Sequence, residues 1–516
     1  MNKDLKRFVG SIREYGLEKI HAKSITGFEK ESLRVIDSKI SSSQHPGELG
    51  SSLTNRYITT DFSESQLEMI TPPMEGIDNS LNFLDSIHHF VSGNIGEEIL
   101  WPLSMPPLIN SENEIPIANF GKSNEGQFKS LYRHGLSERY GRLMQAISGL
   151  HFNFSLPEDI WSNGELIEKK LAYEVKSAIY FSMIRNIYSF NWILLYLFGA
   201  SPSIPKNYLK KESDSFIDSN NDICFLPYAT SLRMSDFGYC NIDRKKITVS
   251  VNSLSEYIDD LREATTTQDS KFSTISSSRR QLNSNILQIE DEYYAVARAK
   301  SANINFRRAS SGLLKGGVDF LEVRSLDLDP FSRYGINSES SYFLELFMLY
   351  CLMNVSEKFN KDDLNHINQN DLLVCKYGRD PRLRITCNGK KISIRDWGHM
   401  ILDDMQSIAE SIDFKKERYT NTIESFRNKI TNPELTISGH MMEELQKLNY
   451  DYIDLGRAIG SENRDYYGDI PIEENENWMT LENSASNSLI QQDKIEQKSL
   501  ESKISFEDYK AEYYKS

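Results

Sequence analysis

The sequence predicts an α+β fold with a mainly antiparallel sheet and helices packed on one side of it. Segments with strand character are scattered between residues 27 and 328 and are separated by helical patterns. They do not follow the regular strand–helix alternation of parallel sheets, so an antiparallel sheet is favoured. From about residue 340 onward the spacing of apolar residues is helical, and no internal repeat is visible.

The elements of the first half can be assigned in order. Residues 4–16 have helical apolar spacing, and the stretch that ends in Thr71-Pro72-Pro73 has strand character. The predicted strands are 27–36, 56–61, 65–71 and the segment "ISGLHFNFSLP"; the predicted helices are 4–16, 78–93, 136–147 and 158–198; residues 100–130, which include "GKSNEGQFK", are predicted to be loop-rich.

The second half begins with an irregular region over residues 201–248. Strand character returns at 280–297 and 316–328, and helices are predicted at "SYFLELFMLYCLMNV", 393–430 and 440–460. We therefore predict a single catalytic domain over 1–461, with a sheet-bearing core at about 20–335 and a helical region at about 340–461. Residues 462–516 are predicted to form a polar, helical C-terminal extension that lies in solvent.

The overall charge of the chain limits its partners. The 516 residues carry a formal net charge of −15. Nucleic acids and anionic membrane surfaces need a basic protein surface, so neither is expected as a partner. A phosphorylated small molecule is compatible with this charge, because an acidic protein can still contain a local basic pocket.

Neither a signal peptide nor a membrane span is predicted. The N-terminus, MNKDLKRFVGSIREYG, lacks a continuous apolar segment followed by small residues. The most apolar run, residues 178–200, is interrupted by Arg185, Asn186 and Asn191, so a buried helix is favoured. Five cysteines without a CxxC pair are typical of reduced thiols. We therefore expect a cytoplasmic protein.

The stretch "GFEKESLRV" places two acids on one face of a predicted strand. Side chains two residues apart on a strand point the same way, so Glu29 and Glu31 lie side by side. Such like charges repel unless a cation lies between them or solvent screens them. By the same alternation Arg34 points to the opposite face, where we predict a structural role.

Other strands carry further acids or metal-capable groups. Asp61 ends one strand and Glu68 lies within the next. In "SGLHFNFSLP", His151 and Asn153 share one face, opposite the phenylalanines. In "GGVDFLEVRSLDLDP", Glu322 and Arg324 share a face with Val318, Phe320, Leu326 and Leu328, which would embed the two charges in an apolar face.

Carboxylates with one imidazole form a hard, oxygen-rich set of ligands. Such a set suits Mg²⁺ or Mn²⁺ better than zinc, and Mg²⁺ commonly keeps positions open for phosphate oxygens. Arginine side chains can bind phosphate or carboxylate with their planar fork; the candidates are Arg133, Arg233, Arg298 and Arg324. Considered alone, an acid of this kind is more often a solvated or paired strand residue than a metal ligand. In the same way, His151 alone would more often be a hydrogen-bonded sheet histidine, and Glu322 with Arg324 alone could be a structural ion pair.

Taken together, these segments resemble the proteobacterial type of glutamate–cysteine ligase. The resemblance covers roughly residues 20–335, in the order of that family. Its stretches are "GFEKESLRV", "HPGELGSSLTNRYITTDFSESQLEMITP", "WPLSMPP", "SLYRHGLSERYGRLMQAISGLHFNFSLP", "YLFGASPSI", "LPYATSLRMSDFGY", "NSNILQIEDEYYA" and "LLKGGVDFLEVRSLDLDPFS".

The resemblance implies a fold and a reaction. The fold is a curved, mainly antiparallel sheet that forms a funnel similar to that of glutamine synthetase, surrounded by helices. The reaction joins L-glutamate to L-cysteine at the expense of ATP, with Mg²⁺ as the metal, and is the first step of glutathione synthesis. The family also implies a monomer and glutathione as a feedback inhibitor.

The resemblance also implies roles for single residues. The metal ligands would be Glu29, Glu31, Asp61, Glu68, His151 and Glu322. Arg324 and Arg133 would face the phosphoryl group, and with Glu29 and Glu322 they form the expected catalytic set. Arg233 would bind a substrate carboxylate. Cysteine would be surrounded by Tyr132, Tyr239, Tyr294 and Phe62. Glutamate would be bound near Gln145, Ser148, Gly149 and Asn153.

Three other functions share parts of this pattern. A related carboxylate–amine ligase would use another amine, which the aromatic pocket would select. A divalent-metal phosphohydrolase would need the acids but neither amino acid. A catalytically inactive regulatory homologue is disfavoured, because the whole acidic set is intact.

Overall fold

The structure of the chain is a computed structural model. It describes residues 2–162, 172–209, 216–219, 223–238, 247–275, 280–302, 307–413, 417–472, 476–502 and 504–515. The strands are β1 (Ile25–Ile36), β2 (Lys39–Ile40), β3 (Ile58–Thr60), β4 (Gln66–Ile70), β5 (Met74–Glu75), β6 (Ile99–Leu100), β7 (Leu150–Ser155), β8 (Ser203–Pro205), β9 (Ile217–Asp218), β10 (Ile223–Phe225), β11 (Ala297–Lys300), β12 (Phe320–Leu326), β13 (Arg384–Cys387) and β14 (Lys390–Ser393).

Helices make up most of the remainder. They are α1 (Asn2–Tyr15), α2 (Leu17–Lys23), α3 (Ile77–Asn94), α4 (Asn124–Tyr140), α5 (Asp159–Ser162), α6 (Ala172–Phe198), α7 (Leu254–Thr266), α8 (Ser270–Ser273), α9 (Ala309–Gly316), α10 (Ser338–Met353), α11 (Lys361–Tyr377), α12 (Ile394–Ile412), α13 (Arg418–Thr431), α14 (Ile437–Lys447), α15 (Tyr452–Gly468), α16 (Glu476–Ser502) and α17 (Phe506–Lys515). No helix in these described ranges combines the length and the apolar character that a membrane crossing needs.

The central sheet is antiparallel, as the sequence predicts. Its main path runs β11-β12-β7-β1-β4-β3, and β2, β5 and β6 pair with β1 at its two ends. β1 therefore lies at the centre, between β7 and β4. The alternation of side chains along β1 divides the sheet into a helix-covered face and a polar face.

Helices cover one face of this sheet and bury its apolar side chains. Phe28, Phe152 and Val323, from three neighbouring strands, are fully buried in one hydrophobic cluster. Residues of α3, α6 and α10 belong to the same cluster, and α3 packs on β1 while α6 packs on β12 and β11. Burial of this apolar surface is the main stabilising contribution to the fold.

The order of side chains on β12 differs from the simple alternation predicted for it. The pairing of β12 with β7 shifts between Val323 and Leu326, which marks a β-bulge. Because of this shift Leu326 joins Leu321 in the core, whereas Glu322 and Arg324 point to the polar face. The two charges do not lie in an apolar face, and that part of the prediction was wrong.

Two predicted elements are also wrong in their limits. A helix was predicted over 136–147, but α4 begins at Asn124, within the segment predicted as loop, because Ser123 Oγ accepts a hydrogen bond from Gly126 N at 3.1 Å. Strand was predicted over 280–297, but only Ala297 of that stretch is in β11. Glu290 and Glu292 in this stretch instead bind arginines, Arg308 and Arg139.

The C-terminal segment continues directly from the helical region. α15 runs from Tyr452 to Gly468, so the predicted boundary at residue 461 falls inside this helix. α16 buries Trp478, Leu481 and Ala485 in the main hydrophobic cluster. The division into a ligase domain and an extension stays a prediction, although α16 shares the core of the rest of the chain.

Candidate active site

The polar face of the sheet gathers the predicted acids of β1, β4 and β12, with Asp61 directly after β3. Glu29 on β1 pairs with His151 on β7, and its Oε1 accepts a 2.7 Å hydrogen bond from Asn153 Nδ2. Glu31 accepts a 2.8 Å hydrogen bond from the backbone N–H of Gly149. These bonds come from Asn153 on β7 and from Gly149 directly before β7, so the backbone beside β1 orients both carboxylates.

Glu322 forms the second part of the cluster. It is fully buried, and Lys300 Nζ lies 3.0 Å from its Oε2 while Arg324 binds its Oε1. His151 Nδ1 lies 3.4 Å from oxygens of both Glu322 and Glu29. One ligand atom from each of Glu29, His151 and Glu322 lies within 4.8 Å of the others, a spacing that could hold a metal ion.

Glu31 and Glu68 lie directly opposite each other on β1 and β4. Like charges in such a cross-strand pair are destabilising. Burial, together with the charge of Asp61, raises the pKa of Glu31 to about 8. Burial and the neighbouring charge of Glu29 also raise the pKa of Glu68 well above its usual value. A divalent cation between these carboxylates would remove the repulsion, so the donor set fits a metal.

Glu29 and Glu322 are held in their ionised form. Although burial raises the pKa of Glu322, Lys300 and Arg324 outweigh this effect and hold that pKa well below its usual value. The pKa of Glu29 is lowered as well, because the bond to His151 and the charge of Lys300 outweigh burial and Glu322. Burial and Arg324 lower the pKa of His151, which favours the neutral imidazole that can ligate a metal.

Two adjoining cavities open onto this face. The larger, of about 420 Å³, is lined by all six predicted metal ligands, by Tyr132, Arg133 and Arg324, and by Lys300. The smaller, of about 120 Å³, is lined by Phe62, Tyr132, Gln145 and Tyr294. Asp61, Tyr132, Arg133, Asp291, Arg298 and Arg324 line both cavities, so a ligand in one would lie next to a ligand in the other.

Some predicted substrate contacts lie behind these cavities. Ser148 is buried, and its Oγ accepts a hydrogen bond from Gln66 Nε2 at 3.2 Å. Gly149 lies directly against Arg233, since a Cβ on Gly149 would lie 1.9 Å from Arg233 Nη2. Tyr239, also predicted at the cysteine pocket, lies outside the described residues.

Arg233 is buried beneath the site. Its Nη1 donates to Leu326 O at 3.1 Å and lies 3.5 Å from Asp327 Oδ1, and its Nη2 donates to Arg324 O at 3.3 Å. These bonds connect the loop after β10 to the end of β12. The predicted contact of Arg233 with a substrate carboxylate stays a prediction, since Arg233 is not among the lining residues of either cavity.

Arg34 has the structural role that the alternation of side chains along β1 predicts. It is fully buried on the opposite face, where its Nη1 donates to Glu98 Oε2 at 2.6 Å and its Nη2 donates to Ser43 O at 2.9 Å.

Sequence reasoning missed several residues of the larger cavity. Lys300 shares a face of β11 with Arg298, so the alternation in "ARAK" could have revealed it. Asp291 and Lys129 also line this cavity, as do Tyr509 and Tyr513 of α17. The spacing of four residues between these tyrosines places them on one side of a helix, but it does not indicate what that side faces.

An acidic sheet face with cationic side chains around it is typical of enzymes that bind a phosphorylated substrate. The chain belongs to the glutamate–cysteine ligase family, whose sequence model matches residues 10–374. The glutamate–cysteine ligase of Vibrio vulnificus is 38% identical over 505 residues, with 95% of this chain and 94% of that protein covered. That of Aliivibrio salmonicida is 40% identical over 433 residues, with 82% and 83% covered.

Solved structures agree with this assignment. The crystal structure of glutamate–cysteine ligase from Francisella tularensis in complex with AMP superimposes with a TM-score of 0.88 at 34% identity, covering 97% of this chain and 99% of that chain. A bifunctional glutathione synthetase from Pasteurella multocida has a TM-score of 0.72 at 26% identity, covering 89% of this chain and 55% of that chain.

Proposed function

We propose that this chain joins the γ-carboxylate of L-glutamate to the amine of L-cysteine and converts ATP to ADP and phosphate. Membership of the glutamate–cysteine ligase family supports this reaction, the first step of glutathione synthesis. The observation that carries the proposal for the site is the cavity in which acids from several strands lie beside Arg324, Arg133 and Lys300.

Two groups of acids are proposed to hold Mg²⁺, with Mn²⁺ as a substitute. Glu29, His151 and Glu322 would form one group, because their ligand atoms lie within 4.8 Å of one another. Glu31, Glu68 and Asp61 would form the other group, because Glu31 and Glu68 are directly paired on neighbouring strands. When bound, the metal neutralises charge on phosphate oxygens.

The cationic side chains would bind and orient the transferring phosphoryl group. A γ-carboxylate oxygen of glutamate attacks the γ-phosphorus of ATP, the bond to ADP breaks, and γ-glutamyl phosphate forms. The cysteine amine then attacks the acyl carbon, and phosphate leaves as the amine loses its proton. Arg324 and Arg133 are proposed to stabilise the charge on the phosphoryl oxygens, and the cavity walls hold the reactants next to each other.

The smaller cavity is proposed to bind cysteine. Phe62, Tyr132 and Tyr294 line it together, and Tyr239 is proposed to complete it. Gln145 lines the same cavity. It is proposed to contact glutamate together with Ser148, Gly149 and Asn153. Arg233 is proposed to bind a substrate carboxylate.

Further properties are proposed from the resemblance to the family. We propose that the sheet is curved into a funnel like that of glutamine synthetase, that the enzyme is a cytoplasmic monomer, and that glutathione inhibits it. Glutathione contains γ-glutamyl and cysteinyl groups, so it would occupy the positions of both amino-acid substrates. Light scattering of the purified protein tests the monomeric state, and inhibition kinetics against glutamate test the inhibition by glutathione.

The decisive experiment measures ADP release from ATP–Mg²⁺. We expect strong dependence on both glutamate and cysteine, and γ-glutamylcysteine as the product. Replacing cysteine by other amines tests whether the smaller cavity selects the thiol. Release of ADP that is unchanged by either amino acid would show a phosphohydrolase instead.

A further inference from the structure

The C-terminal helix α17 lines the same cavity as the acidic cluster. Tyr509 and Tyr513 belong to the wall of the 420 Å³ cavity whose floor holds Glu29 and Glu322. Most of the other side chains around this cavity are charged. A segment predicted as a solvated extension thus brings two aromatic rings next to the reaction site.

α17 is held in this position by specific contacts. The ring of Tyr513 packs on Phe128 of α4, with 4.6 Å between the ring centres. Tyr514 Oη donates to Gln288 O at 2.6 Å and accepts from Asn283 Nδ2 at 2.5 Å. These contacts join α17 to α4 and to the segment before β11, so its tyrosines form a defined wall.

The cavity wall has an ionic and an aromatic component. The ionic component comprises the acids with Lys300 and Arg324. In the other, Phe128, Ile289 and Tyr513 belong to one hydrophobic cluster against which Tyr509 packs. A nucleoside triphosphate has the same division, since its phosphate chain is anionic and its base is flat and apolar. Bases stack favourably on aromatic side chains.

We propose that α17 forms the wall of the nucleotide pocket that receives the adenine base, with Tyr509 in contact with the base. The identity of the nucleotide rests on the proposed function. Tyr513 is buried against Phe128, whereas Tyr509 is only half-buried and lines the cavity. The Arg307 guanidinium carbon lies 4.4 Å from the centre of the Tyr509 ring, and Arg307 Nη1 lies 3.6 Å from Glu512 Oε2. Arg307 thus connects the Tyr509 ring to Glu512 on the same helix.

The test compares a ligand that has a base with one that lacks it. In Tyr509→Ala we expect the KM for ATP to rise about tenfold or more, because the stacking contact is lost. The KM values for glutamate and cysteine, and the inhibition constant of inorganic tripolyphosphate against ATP, should change by less than about twofold. Tyr509→Phe keeps the ring and should behave as the wild type.

A matched control is Tyr377→Ala, which removes an exposed tyrosine at the end of α11, outside both cavities. It should leave all of these constants unchanged. An unaltered KM for ATP in Tyr509→Ala, or equal weakening of ATP and tripolyphosphate, would overturn the inference.

Hydrogen exchange of the wild-type enzyme tests the same contact without a variant. ATP should slow exchange in residues 504–515 and tripolyphosphate should not; equal effects of the two ligands would contradict the assignment. If ADP release proves independent of glutamate and cysteine, the proposed function fails, but calorimetric binding of ATP to wild type and Tyr509→Ala still decides the role of α17.

Discussion

At the scale of single residues, Glu322 and Glu29 are the two carboxylates of the acidic cluster that share His151 and Lys300 as neighbours. Both carboxylates are held ionised. An amide at either position keeps the shape of the side chain but removes the charge that a metal needs.

We therefore expect Glu29→Gln and Glu322→Gln to lower kcat by about a hundredfold or more, as for other groups that stabilise transition-state charge. Circular dichroism should show an intact fold. The control is Glu75→Gln, an exposed acid on β5 of the same sheet, which should keep full activity. Wild-type turnover by a folded Glu322→Gln protein would refute its assignment.

The raised pKa of Glu31 predicts how metal binding depends on pH. Its pKa of about 8 in the folded chain exceeds the ordinary 4.5, so between these values the folded chain binds more protons than the unfolded chain. The free energy of unfolding contributed by this group therefore falls as the pH rises through that window. A metal must displace the proton, so it binds more tightly at higher pH.

We expect Mg²⁺ to raise Tm by more at about pH 8 than at about pH 6, because fewer protons then oppose its binding. Differential scanning fluorimetry with and without Mg²⁺ measures the difference. In Glu31→Gln the dependence on pH should diminish. Equal Tm shifts at both pH values in the wild type would contradict a metal at Glu31.

At the scale of elements, Arg233 joins the start of β7 to the end of β12. Gly149 leaves room for the guanidinium, since an added Cβ would lie 1.9 Å from Arg233 Nη2. The same guanidinium donates to backbone oxygens of Leu326 and Arg324. The positions of these two strands at the site are thus coupled through one side chain.

We expect Gly149→Ala to cost about 1–3 kcal/mol of unfolding free energy, because the new methyl group overpacks a buried site, and to lower activity with it. Urea denaturation measures the change. Gly47→Ala is the matched control, because a Cβ at Gly47 meets nothing within 4 Å. If both variants are equally stable, Arg233 can move aside without cost.

At the scale of the whole molecule, α16 shares the core of the central sheet and its helices. Trp478 packs against Phe90 of α3, with 4.9 Å between the ring centres, and belongs to the cluster that also contains Phe28. Elements that share one core unfold together in most single domains.

We expect Trp478→Ala to lower the Tm of a single transition, with a cost of about 3–5 kcal/mol for losing a buried aromatic side chain. Met479→Ala removes the neighbouring side chain, which is 63% exposed, and should leave Tm unchanged. Scanning calorimetry distinguishes the outcomes. A separate, earlier transition in Trp478→Ala would show that the C-terminal segment unfolds as an independent unit.

Much of the site is visible in the sequence because strand alternation is a local property. The spacing of two residues between Glu29 and Glu31, and between His151 and Asn153, is enough to place each pair on one face. The same alternation fails at Leu326, because a bulge changes the face without any clear sign in the sequence.

By itself, the sequence determined the α+β class, the acidic face and, through many matched stretches, the family of the chain. Only the tertiary structure decided that Lys300 neutralises Glu322, that Arg233 lies beneath Gly149, and that Tyr509 of α17 reaches the cavity of Glu29. The physical reason is distance along the chain. The alternation of side chains along a strand indicates which way each side chain points. Contacts between segments that are far apart in the sequence depend on how all the elements pack together.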